Sequence, residues 1–179
     1  LLIPLIIVFL NLQIYVILFL IVTCFFICLF KKEDLKKILL SKNENDYKKL
    51  IFRDLSLFMF LILFLDLLGE VKLIFFDLKN FHYLFLLSLF YLIFSVIPQE
   101  IIFRYYFFTR YENVFKNKCI LIITNSLVFS IFHVIYLDIK IIFITFIGSL
   151  LLSSNYLQFK SLILVILQHF FFAQILLTL

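Results

Sequence analysis

"SVIPQEIIFRYYFFTRY", residues 95–111, decides how this chain is read. The run is long and apolar, yet Gln99, Glu100 and Arg104 interrupt it. A helix that crosses a bilayer needs about 20 mostly apolar residues. An ionisable side chain near the bilayer centre costs roughly 3 kcal/mol and is retained where it has a partner or a task. Glu100 and Arg104 stand four residues apart, so a helix puts them on one face, where an ion pair makes their burial tolerable. The stretch therefore reads as part of a membrane helix carrying a charged pair inside the bilayer.

The rest of the chain supports that reading. Of its 179 residues 65% are hydrophobic, 27 of them Phe, and the mean hydropathy is +1.19. A soluble domain is closer to half apolar. Six apolar segments stand out, at about 3–30, 51–69, 83–110, 119–137, 141–156 and 161–179, the fifth the shortest. The first is too long for a signal peptide and lacks a small-residue cleavage site, so it reads as a membrane helix. The expected fold is all-α, a polytopic transmembrane bundle of about six helices. Residues 1–82 form its N-terminal helices and residues 83–179 its core, in one integrated bundle. Only two glycines occur, which argues against close glycine-mediated helix packing. Cys24, Cys28 and Cys119 lie in apolar runs and read as small buried hydrophobes rather than a disulfide or metal set.

The net charge of +5 would suggest a nucleic-acid partner in a soluble protein. In a membrane protein it marks cytoplasmic loops, and no nucleic-acid-binding module is present. "KKEDLKKILLSKNENDYKK", residues 31–49, holds seven lysines, and the turn near Arg110, Lys116 and Lys118 is also basic. The loops at 70–82 and 138–140 are nearly balanced. Residues 31–50 and 112–118 are accordingly expected in the cytoplasm. Heavy Phe, Ile, Lys and Asn usage points to an AT-rich genome, and the expected location is a bacterial inner membrane.

Five positions of the second half qualify as residues of this kind held within apolar segments: Glu100, Arg104, His133, His169 and Gln99. Asn11, Gln13 and Asp66, in the first half, share no spacing, while Arg53 and Asp54 are expected at a helix end in water. The turn at 113–118 separates the third segment from the fourth. Glu100 lies about fifteen residues before its centre and His133 about eighteen after it. At ~1.5 Å per residue an antiparallel pair brings the two to similar depth, provided the third helix continues to about Tyr111. Phe129, Ser130 and Ser126 fall on roughly the His133 face. A carboxylate, an arginine and two histidines at one depth form a set suited to proton handling or catalysis.

These residues resemble the CPBP intramembrane proteases, the Abi or type II CAAX endopeptidase family. The chain reads Gln99-Glu100-Ile101-Ile102-Phe103-Arg104 against a Glu-Glu-x-x-x-Arg motif and Phe129-Ser130-Ile131-Phe132-His133 against Phe-x-x-x-His. It reads His169-Phe170-Phe171-Phe172-Ala173 against a terminal His-x-x-x-Asn-like motif. The resemblance implies hydrolysis of a peptide bond in a membrane-associated protein or peptide. Glu100 and His133 would activate water, Arg104 would orient Glu100, and His169 would donate to the oxyanion. It implies no cofactor, with a divalent metal such as zinc on Glu100, His133 and His169 as the alternative. The partners implied are membrane lipid and that protein or peptide substrate. Gln99 replaces the first Glu, Tyr105 the usual Gly and Ala173 the Asn-like residue. Gln168 and Gln174 carry amides but project from other faces of an ideal helix. These departures support a second reading, a non-catalytic member that binds peptide or confers bacteriocin self-immunity. A proton-coupled transporter is a third, and it lacks the internal repeats such proteins carry.

Overall fold

The computed structural model describes residues 2–30, Arg53, Ser56 and Met59, and residues 81–176. All regular structure among the described residues is helical. Helix α1 spans Leu2–Phe30 and α2 spans residues 81–111. Helix α3, Lys118–Ile131, leads into a single 3₁₀ turn, Val134–Tyr136. Helix α4 spans Ile139–Phe159 and α5 spans Leu162–Leu176. Three spans, Phe85–Tyr111, Lys118–Tyr136 and Ile139–Phe159, are long and apolar enough to cross a membrane, with shorter apolar helices at Ile14–Leu29 and Leu162–Gln174. The protein is a polytopic helical membrane bundle. The basic loop 31–50 and most of the segment 51–69 lie outside the described residues, although Arg53, Ser56 and Met59 are helical.

Side chains facing outward are apolar. Ile14, Phe19 and Phe25 on α1 and Phe85, Leu86 and Phe90 on α2 are exposed, as a lipid-facing surface requires. Helix α2 continues to Tyr111, as the depth argument demanded, but it is not uniform. Pro98 has no N–H to offer the Phe94 carbonyl. Wider π-helical turns at Leu92–Val96 and Ile101–Tyr106 flank the residues around Pro98. There the Ile97 N–H reaches back to Leu92 O and the Phe107 N–H to Ile102 O. Such insertions are frequent at functional sites. Between and within these turns Pro98, Gln99, Glu100, Ile101, Phe103, Arg104 and Tyr105 are all buried. This middle part of α2 is thus enclosed: α1 and α5 pack along it, and α3 and α4 reach it through polar side chains.

Capping sets the hairpin ends. Asn117 caps α3 by accepting from the Cys119 N–H at 2.8 Å, and Asp138 caps α4 by accepting from the Lys140 N–H at 2.8 Å. The Asp138 cap explains why α4 runs beyond the 141–156 expected from hydropathy. Leu137 and Lys160 adopt left-handed backbone conformations with φ of 51° and 48°, which turn the chain sharply after the 3₁₀ turn and after α4. Lys160 Nζ bonds Glu112 Oε2 at 2.5 Å, which places the α4–α5 turn at the same end of the bundle as the 112–117 loop.

The cysteines divide. Cys24 is buried and Cys28 half-buried, but Cys119 is exposed and so departs from the expected buried role. It follows the cap residue at the very start of α3, where the helix has emerged from its neighbours.

Candidate active site

Glu100 and Arg104 are fully buried on α2, and Arg104 Nε lies 3.3 Å from Glu100 Oε2. The guanidinium is held on its other edge as well. Nη1 donates to Asn125 Oδ1 at 2.6 Å and Nη2 to Ser149 Oγ at 3.0 Å. Asn125 in turn donates to the Phe103 carbonyl at 2.7 Å and accepts from Ser153 Oγ at 2.8 Å. The Phe129 ring lies against the cation, 5.0 Å from centroid to guanidinium carbon. Taking a charge out of water costs several kcal/mol unless attraction and hydrogen bonds offset it, and this cluster supplies both from three helices. Asn125, Ser149 and Ser153 were not singled out from the sequence. The signal was there: Thr145, Ser149 and Ser153 recur every fourth residue along α4, and all are buried.

The second carboxylate oxygen meets a histidine of α5. His169 Nδ1 lies 2.7 Å from Glu100 Oε1. Counting residues set Glu100 and His133 at similar depth without fixing a contact; it is α5 that brings an imidazole onto the carboxylate. A carboxylate oxygen accepts, so this bond puts the hydrogen on Nδ1 and leaves the lone pair of His169 at Nε2. Glu100 is engaged at both oxygens and orients its neighbours rather than facing open space.

His133 is held by other means. Helix α3 stops at Ile131, and His133 sits in the turn beyond it, with φ −92° and ψ −1°. The α-helical placement of His133 assumed from the sequence therefore ends two residues early. Its Nδ1 lies 3.0 Å from the Phe129 carbonyl. A carbonyl only accepts, so this histidine too carries its hydrogen on Nδ1 and its lone pair on Nε2. Phe129 stands beside both imidazoles, with ring centroids 4.7 Å from His133 and 5.6 Å from His169. Ser126 and Ser130, on the same side of α3, turn their hydroxyls back onto the carbonyls of Ile122 and Leu127.

His133, His169 and Phe129 share one cavity of about 320 Å³, walled further by Gly148, Phe172 and Ala173. His133 also borders a second cavity of about 240 Å³ that Gln99 and Ser95 line from α2 and Leu20 from α1. Gln99 Nε2 donates to Ser95 Oγ at 3.0 Å, while its buried Oε1 has no hydrogen-bond partner among the described residues. The two glutamines of α5 are engaged elsewhere. Gln168 Oε1 accepts from Asn155 Nδ2 at 3.2 Å, and Gln174 Oε1 accepts from Ser88 Oγ at 3.0 Å. Neither therefore stands in for the residue replaced by Ala173. Arg53, expected to face water alone, reaches buried Asn155 through Nη2 at 3.0 Å. An exposed residue sends its long side chain inward to a polar group that lipid would leave unsatisfied.

A metal on Glu100, His133 and His169 fits this arrangement poorly. The Nδ1 contacts of the two histidines leave their Nε2 atoms free, as a ligating imidazole requires, but the Glu100 carboxylate is turned to Arg104 and His169, and no grouping of three His, Cys, Asp or Glu side chains suited to a metal exists among the described residues.

A family model described as type II CAAX prenyl endopeptidase Rce1-like matches residues 81–175, just over half of the chain. No curated protein and no solved structure matches the chain.

Proposed function

The chain belongs to the Rce1-like type II CAAX prenyl endopeptidase family, and from that premise we propose that it is an intramembrane endopeptidase that hydrolyses a peptide bond in a membrane-associated protein or peptide. The carrying observation is the 2.7 Å contact between Glu100 Oε1 and His169 Nδ1 beside a cavity that His133 also lines. Glu100 plays the orienting part that a buried carboxylate plays behind a catalytic imidazole. It fixes the tautomer and stabilises the imidazolium that forms. His169 Nε2 takes a proton from water as the water oxygen bonds to the scissile carbonyl carbon. When the tetrahedral intermediate collapses, the C–N bond breaks and that proton passes to the departing nitrogen.

His133 presents a lone pair at Nε2 and so accepts a hydrogen bond from the same water, aligning it for attack. Arg104 acts one step back, holding Glu100. This distribution differs from the one the motif resemblance implied, which gave water activation to Glu100 and His133 and oxyanion binding to His169. Glu100 is already engaged at both oxygens, which is why the proton acceptor is assigned to His169. The step is written with side chains alone and calls for no metal. The substrate arrives through the lipid phase.

The reading is tested by purifying wild type, Glu100→Gln and His169→Ala in proteoliposomes and profiling new peptide termini after incubation with host membrane proteins. A terminus produced by wild type and lost in both variants is the expected result. Equal processing by all three proteins overturns the assignment.

A further inference from the structure

Gly148 is one of two glycines in the chain, and it stands within α4, ten residues from its start. An interior helix glycine costs about 0.5–1 kcal/mol relative to alanine. In membrane helices that cost is usually offset by close backbone approach of a neighbour. Here a Cβ added to Gly148 would meet nothing within 4 Å. Packing therefore does not require the glycine, and the space beside it is the cavity of about 320 Å³ that both histidines line.

The remaining wall is mostly apolar, with Tyr91, Tyr136 and Ser149 as its other polar members and no Asp, Glu, Lys or Arg. Ile144, Leu152 and Phe172 contribute to it. Thr145 also lines the cavity, but its hydroxyl is spent on its own helix, bonding the Ile141 carbonyl at 2.8 Å and the Ile142 carbonyl at 3.0 Å. The volume falls at the small end of the roughly 300–1,000 Å³ typical of ligand sites. The register of α4 is pinned by the adjacent residue, since Ser149 Oγ accepts from Arg104. The missing side chain at 148 thus opens room at a defined place, beside the imidazoles.

We infer that Gly148 sets the size of the pocket that receives a bulky apolar side chain of the substrate next to the bond that is cut. The inference rests on the proteolytic reading above and adds its specificity. A charged substrate side chain in this pocket would lose its hydration and meet no Asp, Glu, Lys or Arg in the lining to offset that loss. A small one would leave the cavity underfilled and forgo dispersion contacts. A large aliphatic or aromatic side chain matches both the volume and the lining.

The test uses the full chain in proteoliposomes and the segment that wild type cleaves, synthesised with Phe, Leu or Ala at each position flanking the cut. Gly148→Leu is expected to lower the ratio of kcat/KM for the Phe peptide over the Ala peptide about tenfold or more. Gly148→Ala is expected to move the ratio the same way by less, while its melting temperature in detergent stays level or rises. A gain in stability together with a change in selectivity is a signature that a merely structural glycine would not give. An unchanged ratio in both variants, with wild type active, overturns the pocket inference and leaves proteolysis standing. Absence of cleavage by wild type overturns the proteolytic reading and this inference with it.

Discussion

Two buried polar regions lie side by side in this bundle and are built on opposite terms. Around Arg104, the guanidinium meets Glu100, Asn125, Ser149 and the face of Phe129, and Asn125 is itself bonded to Phe103 O and Ser153. Around the histidines, each ring is anchored at Nδ1 alone and turns toward a cavity, and Gln99 keeps a carbonyl oxygen without a partner. The first region is densely bonded, although Arg104 Nε and Glu100 Oε2 face each other at 3.3 Å as an ion pair without a hydrogen bond, and such a cluster in lipid rigidifies and locates. A cluster with anchored but unsaturated groups is prepared to bind or to react. The shared residue is Glu100, which belongs to the first region through one oxygen and to the second through the other.

The largest effects separate the regions by the quantity that changes. Glu100→Gln removes the charge behind His169 while keeping the side-chain volume, and turnover is expected to fall by about 10²–10⁴-fold. Initial-rate assays alongside a thermal melt check this, because the comparison fails if stability collapses in parallel. Arg104→Leu acts first on stability. It strands Glu100 in the core, and a loss of about 3–5 kcal/mol is expected, read by denaturation in detergent. A Glu100→Gln/Arg104→Leu double variant should recover part of that loss, since no buried charge then lacks its partner.

Smaller effects sharpen the contrast. Asn125→Leu takes the acceptor away from a buried guanidinium nitrogen and from Ser153 Oγ, and is expected to cost about 1–3 kcal/mol. Gln99→Leu gives up the bond to Ser95 Oγ but also removes an acceptor that has no partner among the described residues, so stability is expected to stay within about 1 kcal/mol of wild type. A loss well above the roughly 1 kcal/mol of the Ser95 bond would show that the Gln99 oxygen is engaged, and the division between a densely and a sparsely bonded region would need redrawing. The smallest effect concerns the turn that follows His133: Leu137→Gly relieves a left-handed residue and should add roughly 1 kcal/mol.

The amino-acid sequence by itself determined the class of the protein. Apolar runs of bilayer length allow few alternatives, since backbone polar groups in lipid must be satisfied within a helix. It also determined that Glu100 and Arg104 share a face, because four residues make about one helical turn and no distant part of the chain enters that relation. What only the tertiary structure decided was every pairing between helices. Depth along a helix follows from counting residues, but the angle at which a side chain leaves the axis toward a neighbour depends on how the helices pack and where they end. Helix α3 ends before His133, so that ring turns to Phe129, and α5 takes its place at Glu100. The Asn125, Ser149 and Ser153 cluster and the opening beside Gly148 belong to the same class. They arise where three helices meet, and spacing within any one helix does not contain them.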